Sequence, residues 1–376
     1  MVVPLVVRKE RHFYFARCRI TSVGPTLALT RGPVDREWLA SWFISGDVHR
    51  SPAGSARDAA ICVVGCEDMW MTPLPTRFTE LVGCLYPLQQ AGMGGITTAD
   101  LAIAVSQAGG LGMLTGTVGH DALSAQLDVV PEDVPVGVNF LMPFIDQAAL
   151  ELAAARSALV EFFWGVPSAR EIDIVHNGGA LSGWQVGSVK EALEARDAGC
   201  DVIVAQGTEA GGHVRGTIGV LPLLDEVRGS LDLPIVAAGG IGTGRAMAAA
   251  LIAGADAVRV GTRFMAAIES NAHPAYVEAL IRSGAEDTTI TTAFGEGWPD
   301  APHRVLKSAL AAGEALGKAQ VWTPDWPSSD FVGPVEARAL YAGESVGAVR
   351  SREPASTIVA ELVTEAKRLL SQGVEA

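Results

Sequence analysis

The sequence predicts an α/β fold: a (β/α)₈ TIM barrel with a loop-rich C-terminal extension and a disordered N-terminal segment. Three observations predict it. From residue 80 onward, short β-rich runs alternate with Ala-rich amphipathic segments, and eight such runs fit between residues 84 and 264. Several of these runs are apolar without alternation, as expected when both faces of a parallel sheet are buried. An open doubly wound sheet would announce a G-x-G-x-x-G after its first strand, and QQAGMGG is not that fingerprint.

The eight strands, in order, are CLYPLQQA (84–91), LGMLTG (111–116), PVGVNFL (135–141), LVEFFWG (159–165), SGWQVG (182–187), DVIVAQG (201–207), PIVAAGG (234–240) and AVRVGTRF (257–264). Between them, TADLAIAVSQAG, SVKEALEARDAG and GRAMAAALIAGA read as helices that stop at glycine, the common C-terminal signal. Residues 288–350 are loop-rich, with GWPDAPHR and WTPDWPSSD, and 354–372 forms a closing helix.

Residues 1–68 differ in kind. They carry nine Lys/Arg against seven Asp/Glu in a chain whose net charge is −14, and they show no sustained period. The expected division is a poorly ordered extension or start-site artefact over 1–70 and one barrel with its C-terminal loop and helix region over 71–376. An initiation at Met69 or Met71 would account for the break.

The net charge of −14 excludes nucleic acid and anionic membranes as expected partners, since both call for a basic surface. Five scattered cysteines, Cys18, Cys62, Cys66, Cys84 and Cys200, suit a reduced, cytoplasmic chain; the Cys62/Cys66 spacing alone is a weak metal signal. No apolar stretch reaches the ~20 residues of a membrane span. MVVPLVV is too short for a signal-peptide core, and its charges follow it.

Barrel chemistry belongs at the carboxyl ends of the strands, and the unusual residues gather there. Gly239 and Gly240 end the seventh strand, and Gly261 and Thr262 follow the eighth. Loops at those two positions bind phosphate through backbone N–H groups, with a threonine hydroxyl as a further donor; the same glycines also suit tight βα turns. Asn139, Gln185 and Gln206 are amides at strand ends, where a planar heterocycle rimmed with donors and acceptors would satisfy them. In TEAGGHVRG, Gly211 and Gly212 permit φ > 0 and turn His213 back over the barrel mouth, where an imidazole can move a proton. A metal role is not expected, since no second His or Cys lies at ligand spacing. No G-x-S-x-G elbow makes His213 part of a hydrolase triad. His176, His273 and His303 lack comparable settings.

Three segments carry a resemblance: AQGTEAGGHVRG, LPIVAAGGIGTGRAMAAALIAGADAVRVGTRF and PLQQAGMGGITTADLAIAVSQAGGLGMLTG. They resemble the nitronate monooxygenase (2-nitropropane dioxygenase-like) family of FMN-dependent TIM barrels, from about residue 74 to about 310. The resemblance implies FMN at the barrel mouth. Its phosphate would be held by Gly239, Gly240, Gly261 and Thr262, with backbone help from Arg259 and Val260. Met93 would lie against the flavin through its backbone, and Asn139, Gln185, Gln206 and Gly211 would contact the ring or ribityl chain. His213 is implied as the base or proton-handling residue. The implied reaction oxidises an alkyl nitronate or related small anion with O₂ to a carbonyl compound and nitrite. Only 66 residues separate Asn139 from Gln206. That short segment is similar to flavin-dependent enoyl-acyl-carrier-protein reductases, which share EAGGH and AAGGI, and related barrels act as quinone reductases. NAD(P)H-dependent reduction is the alternative activity.

Overall fold

The computed structural model describes residues 2–9, 12–23, 26–30, 72–317 and 327–372. Contacts divide the chain into Met1–Met71 and Thr72–Ala376. In the first unit, Val2–Lys9, His12–Val23 and Thr26–Thr30 pair in sequence as an antiparallel meander. The sequence reading expected no regular element there. VVPLVVRK and HFYFARCRITSV are rich in β-branched and aromatic residues, and that composition favours strands even without clean alternation. Residues 31–71 lie outside the described residues, and with them Cys62, Cys66, Met69 and Met71.

The second unit is built on eight parallel strands: β1 (Leu88–Gln90), β2 (Gly112–Thr115), β3 (Val136–Leu141), β4 (Leu159–Phe163), β5 (Leu181–Val186), β6 (Val202–Gln206), β7 (Ile235–Ala238) and β8 (Ala257–Val260). Their order, β1-β8-β7-β6-β5-β4-β3-β2, is that of a barrel opened between β1 and β2. A parallel bridge between Gln89 and Leu111 closes it, with Gln90 N–H donating to the Leu111 carbonyl at 2.9 Å. All eight predicted strands are present. The eighth is shorter than the predicted run, because Thr262–Met265 turns into helix after Gly261.

The three predicted helices form as Ala99–Gln107, Val189–Asp197 and Gly244–Ile252. Apolar side chains between strands and helices make the main core, including Leu88, Val138, Phe162, Ile203 and Val258, all buried. A second core fills the lower barrel interior with Leu111, Met113, Leu159, Val204 and Val236. Phe78 and Val82, from the helix Arg77–Val82, join that cluster and plug the amino end. Arg77 holds the plug in place through Asp256 (2.8 Å) and Asp232 (2.7 Å).

Between β8 and its helix the chain makes a long excursion. Within it, Thr288–Thr291 and His303–Leu306 form an antiparallel ribbon, and Gly212–His213 adds to its edge. This stretch was expected to be mostly loop. It also carries the helices Pro274–Ile281 and Lys307–Ala315, with an apolar cluster of its own. The closing helix, Ala355–Gln372, packs on Gly244–Ile252 and Ala99–Gln107, so it is the eighth helix of the ring. No helix among the described residues is long and apolar enough to cross a membrane.

Candidate active site

At mid-height, the barrel interior changes from apolar to polar. Register places Arg259 beside Gln89, and Glu161 beside Asn139. Glu161 and Gln89 are fully buried, and Arg259 is nearly so. The Arg259 guanidinium pairs with Glu161, donates to Gln89 Oε1 from Nε (3.0 Å) and Nη2 (2.9 Å), and donates to Gln185 Oε1 from Nη1 (2.6 Å). Gln89 Nε2 donates to Glu161 Oε2 at 3.2 Å, and Asn139 Nδ2 donates to Glu161 Oε1 at 3.0 Å. Every bond in the set joins side chains of different barrel strands, some neighbouring and some across the interior. Buried charges persist only when compensated in this way.

Above this floor opens a cleft of about 1210 Å³, its mouth included. On one side, Gly239 (φ 112°) and Gly240 (φ 69°) end β7 in a left-handed turn that other residues enter only with strain. Gly261 and Thr262 lie beside them in the cleft wall. The Thr262 Oγ1 accepts from Gly343 N–H at 3.0 Å, which leaves its own proton to donate.

His213 lines the cleft from the edge of the ribbon. Gly212 has φ 71°, as a turn toward the mouth requires, whereas Gly211 has ordinary φ and serves packing. A Cβ on Gly211 would come 2.5 Å from Gly343 N. Gln206 Nε2 donates to the His213 carbonyl at 2.9 Å, tying the ribbon edge to β6. The imidazole is surrounded by rings. Trp298 lies against its face at 4.2 Å between centroids, with Trp164 at 5.7 Å, His303 at 5.2 Å and Tyr341 at 5.8 Å. Burial pushes the His213 pKa down from 6.5 to about 3, and His303 adds to the shift. The ring is therefore neutral at ordinary pH.

Among the described residues, Trp164 (φ 65°) and Phe294 (φ 58°) are the non-glycine residues with positive φ. One carries a ring of this wall, and the other lies in the ribbon loop that carries Trp298. Each costs on the order of 1–3 kcal/mol and persists where surrounding structure demands it.

Of the sequence-predicted residues, Met93, Asn139, Gln185, Gln206, Gly211, His213, Gly239, Gly240, Arg259, Gly261 and Thr262 all line the cleft. Val260 does not: it is buried in the outer core, and its carbonyl accepts from Ala91 N–H. Arg259 lines the cleft, with its guanidinium bonded to Gln185. The Met93 N–H is taken by Thr97 Oγ1 at 2.9 Å. His176 bonds Asp201 and Ser182, and His273 caps a helix, so both are structural. His303, set aside by sequence reasoning, packs against His213. Glu161, Gln89, Trp164, Trp298 and Tyr341 were also missed. The lone carboxylate inside the apolar run LVEFFWG was the one available signal among them.

Among the described residues no group of His, Cys, Asp and Glu could hold a metal. The donors of the cleft suit a flavin better. Gln206 Oε1 is buried in the wall without a hydrogen-bond partner, an acceptor that a ring N–H or ribityl hydroxyl would satisfy.

The sequence profile of the nitronate monooxygenase family matches residues 75–155 and 143–365. The chain belongs to this family. It is therefore an oxidoreductase of a flavoenzyme family, on the TIM-barrel fold described above. Among solved structures, this nitronate monooxygenase family member is similar to a nitroalkane oxidase from Streptomyces ansochromogenes. The two share 30% identity with a TM-score of 0.65, over 79% of this chain and 99% of the other. FabK from Thermotoga maritima aligns at 29% identity and a TM-score of 0.68, over 80% and 99%. In sequence, the chain is 35% identical over 244 residues to the (3aS,4S,5R,7aS)-5-hydroxy-7a-methyl-1-oxo-octahydro-1H-indene-4-carboxyl-CoA dehydrogenase of Mycobacterium tuberculosis, covering 63% of this chain and 67% of the relative.

Proposed function

We propose that the chain is an FMN-dependent nitronate monooxygenase that oxidises an alkyl nitronate with O₂ to a carbonyl compound and nitrite. The observation that carries this reading is a neutral imidazole, His213, at the edge of a cleft rimmed by the amides of Asn139, Gln185 and Gln206 and by the Gly239–Gly240 turn. A base of pKa about 3 is too weak to take a carbon-bound proton from a nitroalkane. A nitronate has already lost that proton. His213 then acts as a hydrogen-bond donor that holds one nitronate oxygen in place. Gly239, Gly240, Gly261 and Thr262 would hold the FMN phosphate, and Asn139, Gln185 and Gln206 its ring or ribityl chain. FMN, when bound, supplies the electron transfer between substrate and O₂. The rings around His213 exclude water from the substrate side, which strengthens each polar contact there.

A second reading has its own support. The lining residue Arg259 is committed to Glu161, Gln89 and Gln185, so its charge is already balanced before any anion arrives. A neutral substrate fits that balance well, and the mycobacterial relative is named for an acyl-CoA. The alternative is thus an NAD(P)H-dependent flavin reductase of an unsaturated acyl thioester or a quinone. One experiment separates the two. The flavin-loaded protein is given propionate-3-nitronate in air while oxygen uptake and nitrite are followed, and separately NADH or NADPH without oxygen while the flavin absorbance is followed. Nitrite with oxygen uptake supports the nitronate reading. Rapid bleaching by the nicotinamide with no nitronate turnover replaces it with the reductase.

A further inference from the structure

The polar floor is one layer of side chains above the apolar layer of the lower barrel, and the direction of its hydrogen bonds decides which atoms face the cleft. Gln185 and Asn139 each have one donor end and one acceptor end, and an amide side chain can turn either end toward a ligand. Here the choice is already made. Arg259 Nη1 occupies Gln185 Oε1, so the amide NH₂ of Gln185 is left for the cleft. Glu161 Oε1 occupies Asn139 Nδ2, so the carbonyl oxygen of Asn139 is left for the cleft. Gln206, held through its NH₂ by the His213 carbonyl, likewise keeps its Oε1 as an acceptor. Gln89 braces the pair from beneath by accepting from Arg259 and donating to Glu161.

We propose that Glu161 is a positioning residue for the flavin. Paired with Arg259, it fixes the acceptor of Asn139 and the donor of Gln185 toward the cleft, beside the Gln206 acceptor that the His213 carbonyl sets, and it balances the guanidinium charge beneath the ring. The ligand class this pattern selects is a flat heterocycle offering N–H or O–H toward Asn139 and Gln206 and a carbonyl or ring nitrogen toward Gln185. The proposal rests on the flavin reading of the site and extends it to residues that lie beneath the ligand. Removing the carboxylate's charge has two separable effects. In Glu161→Gln a single oxygen is left for the donors of Asn139, Gln89 and Arg259, so Asn139 is no longer held in one orientation, and Arg259 becomes an unbalanced positive charge that favours the more negative, reduced flavin.

The test compares wild type, Glu161→Gln and the double variant Glu161→Gln/Arg259→Gln, each stripped of flavin and titrated with FMN by fluorescence quenching. The midpoint potential of the bound flavin is then measured. Glu161→Gln is expected to weaken FMN binding at least ~10-fold. It should also favour reduced over oxidised flavin by at least ~10-fold, a rise of about 30 mV for a two-electron couple. The double variant carries no unpaired buried charge and is expected to fold. It should keep the weakened binding and lose the rise in potential. FMN affinity and potential both unchanged in Glu161→Gln would overturn the proposal. Should that variant not fold, wild-type FMN affinity in the double variant would overturn it equally. A wild-type protein that binds no FMN removes the flavin reading itself, whereas FMN binding indifferent to Glu161 removes this proposal alone.

Discussion

The floor and the wall of the cleft solve the same problem by opposite means. The floor under the ligand is a closed set of directional bonds, in which Arg259, Glu161, Gln89, Gln185 and Asn139 commit each other's polar atoms. The wall around His213 is made of rings whose contacts are apolar or edge-to-face, between 4.2 and 5.8 Å. A hydrogen-bonded floor fixes which atom faces a ligand. A ring wall fixes where a half-buried imidazole stands and keeps it uncharged. The floor is drawn from barrel strands distant in sequence, the wall largely from the excursion after β8. Orientation of the floor amides in this protein therefore belongs to the scaffold, and the environment of His213 belongs to an addition to it.

Breaking the floor should have the largest effect. Glu161→Ala leaves the Arg259 charge buried and unpaired, and is expected to cost about 3–5 kcal/mol of stability, read as a lower urea midpoint. An unchanged midpoint would mean that water already reaches the guanidinium. Breaking the wall's central group costs function instead of fold. His213→Asn should bind FMN normally and lose about 10²-fold in turnover, as loss of one placed donor does. Equal loss of flavin affinity would merge the two regions into one unit.

The smallest effect concerns protons. His213 has a folded-state pKa of about 3 against an ordinary 6.5, so the unfolded chain binds a proton first as pH falls. Stability should decline from about pH 6.5 down to about pH 3 on this account, and His303, also lowered by burial, adds to the decline. Trp298→Ala lets water reach the imidazole, raises its pKa toward 6.5 and flattens that slope. Melting temperature measured across the interval checks the sign, and histidine NMR reports the pKa directly. An unchanged slope would assign the dry environment to Trp164 and His303.

The scaffold was far more legible than the wall. Runs such as DVIVAQG and PIVAAGG announce buried parallel strands because the signal is local, and the same local stretches carry His213, Gln206, Gly239 and Gly240 at their ends. The floor was half legible. Glu161 in LVEFFWG and Arg259 in AVRVG stand out as charges in apolar strands, but their pairing joins residues on β4 and β8, and no local period encodes it. The wall gave no usable signal. Trp298 and His303 reach His213 only because Gly212–His213 pairs with His303–Leu306, a long-range ribbon that a two-residue strand cannot advertise. The side chain of Val260 lies outside the cleft because strand alternation turns it outward when Arg259 faces in.

The placement of Ala355–Gln372 as the last member of the ring also bears on how the chain is made. All eight strands have been synthesised by Val260, yet the helix that covers the junction of β8 and β1 comes only after residues 261–354. At a synthesis rate of about 5–20 residues per second, that junction waits roughly 5–20 s for its cover. The sequence segments bearing Trp298, His303 and Tyr341 leave the ribosome during that interval. The wall around His213 is thus delivered to a barrel that is not yet sealed, and the final helix closes it last.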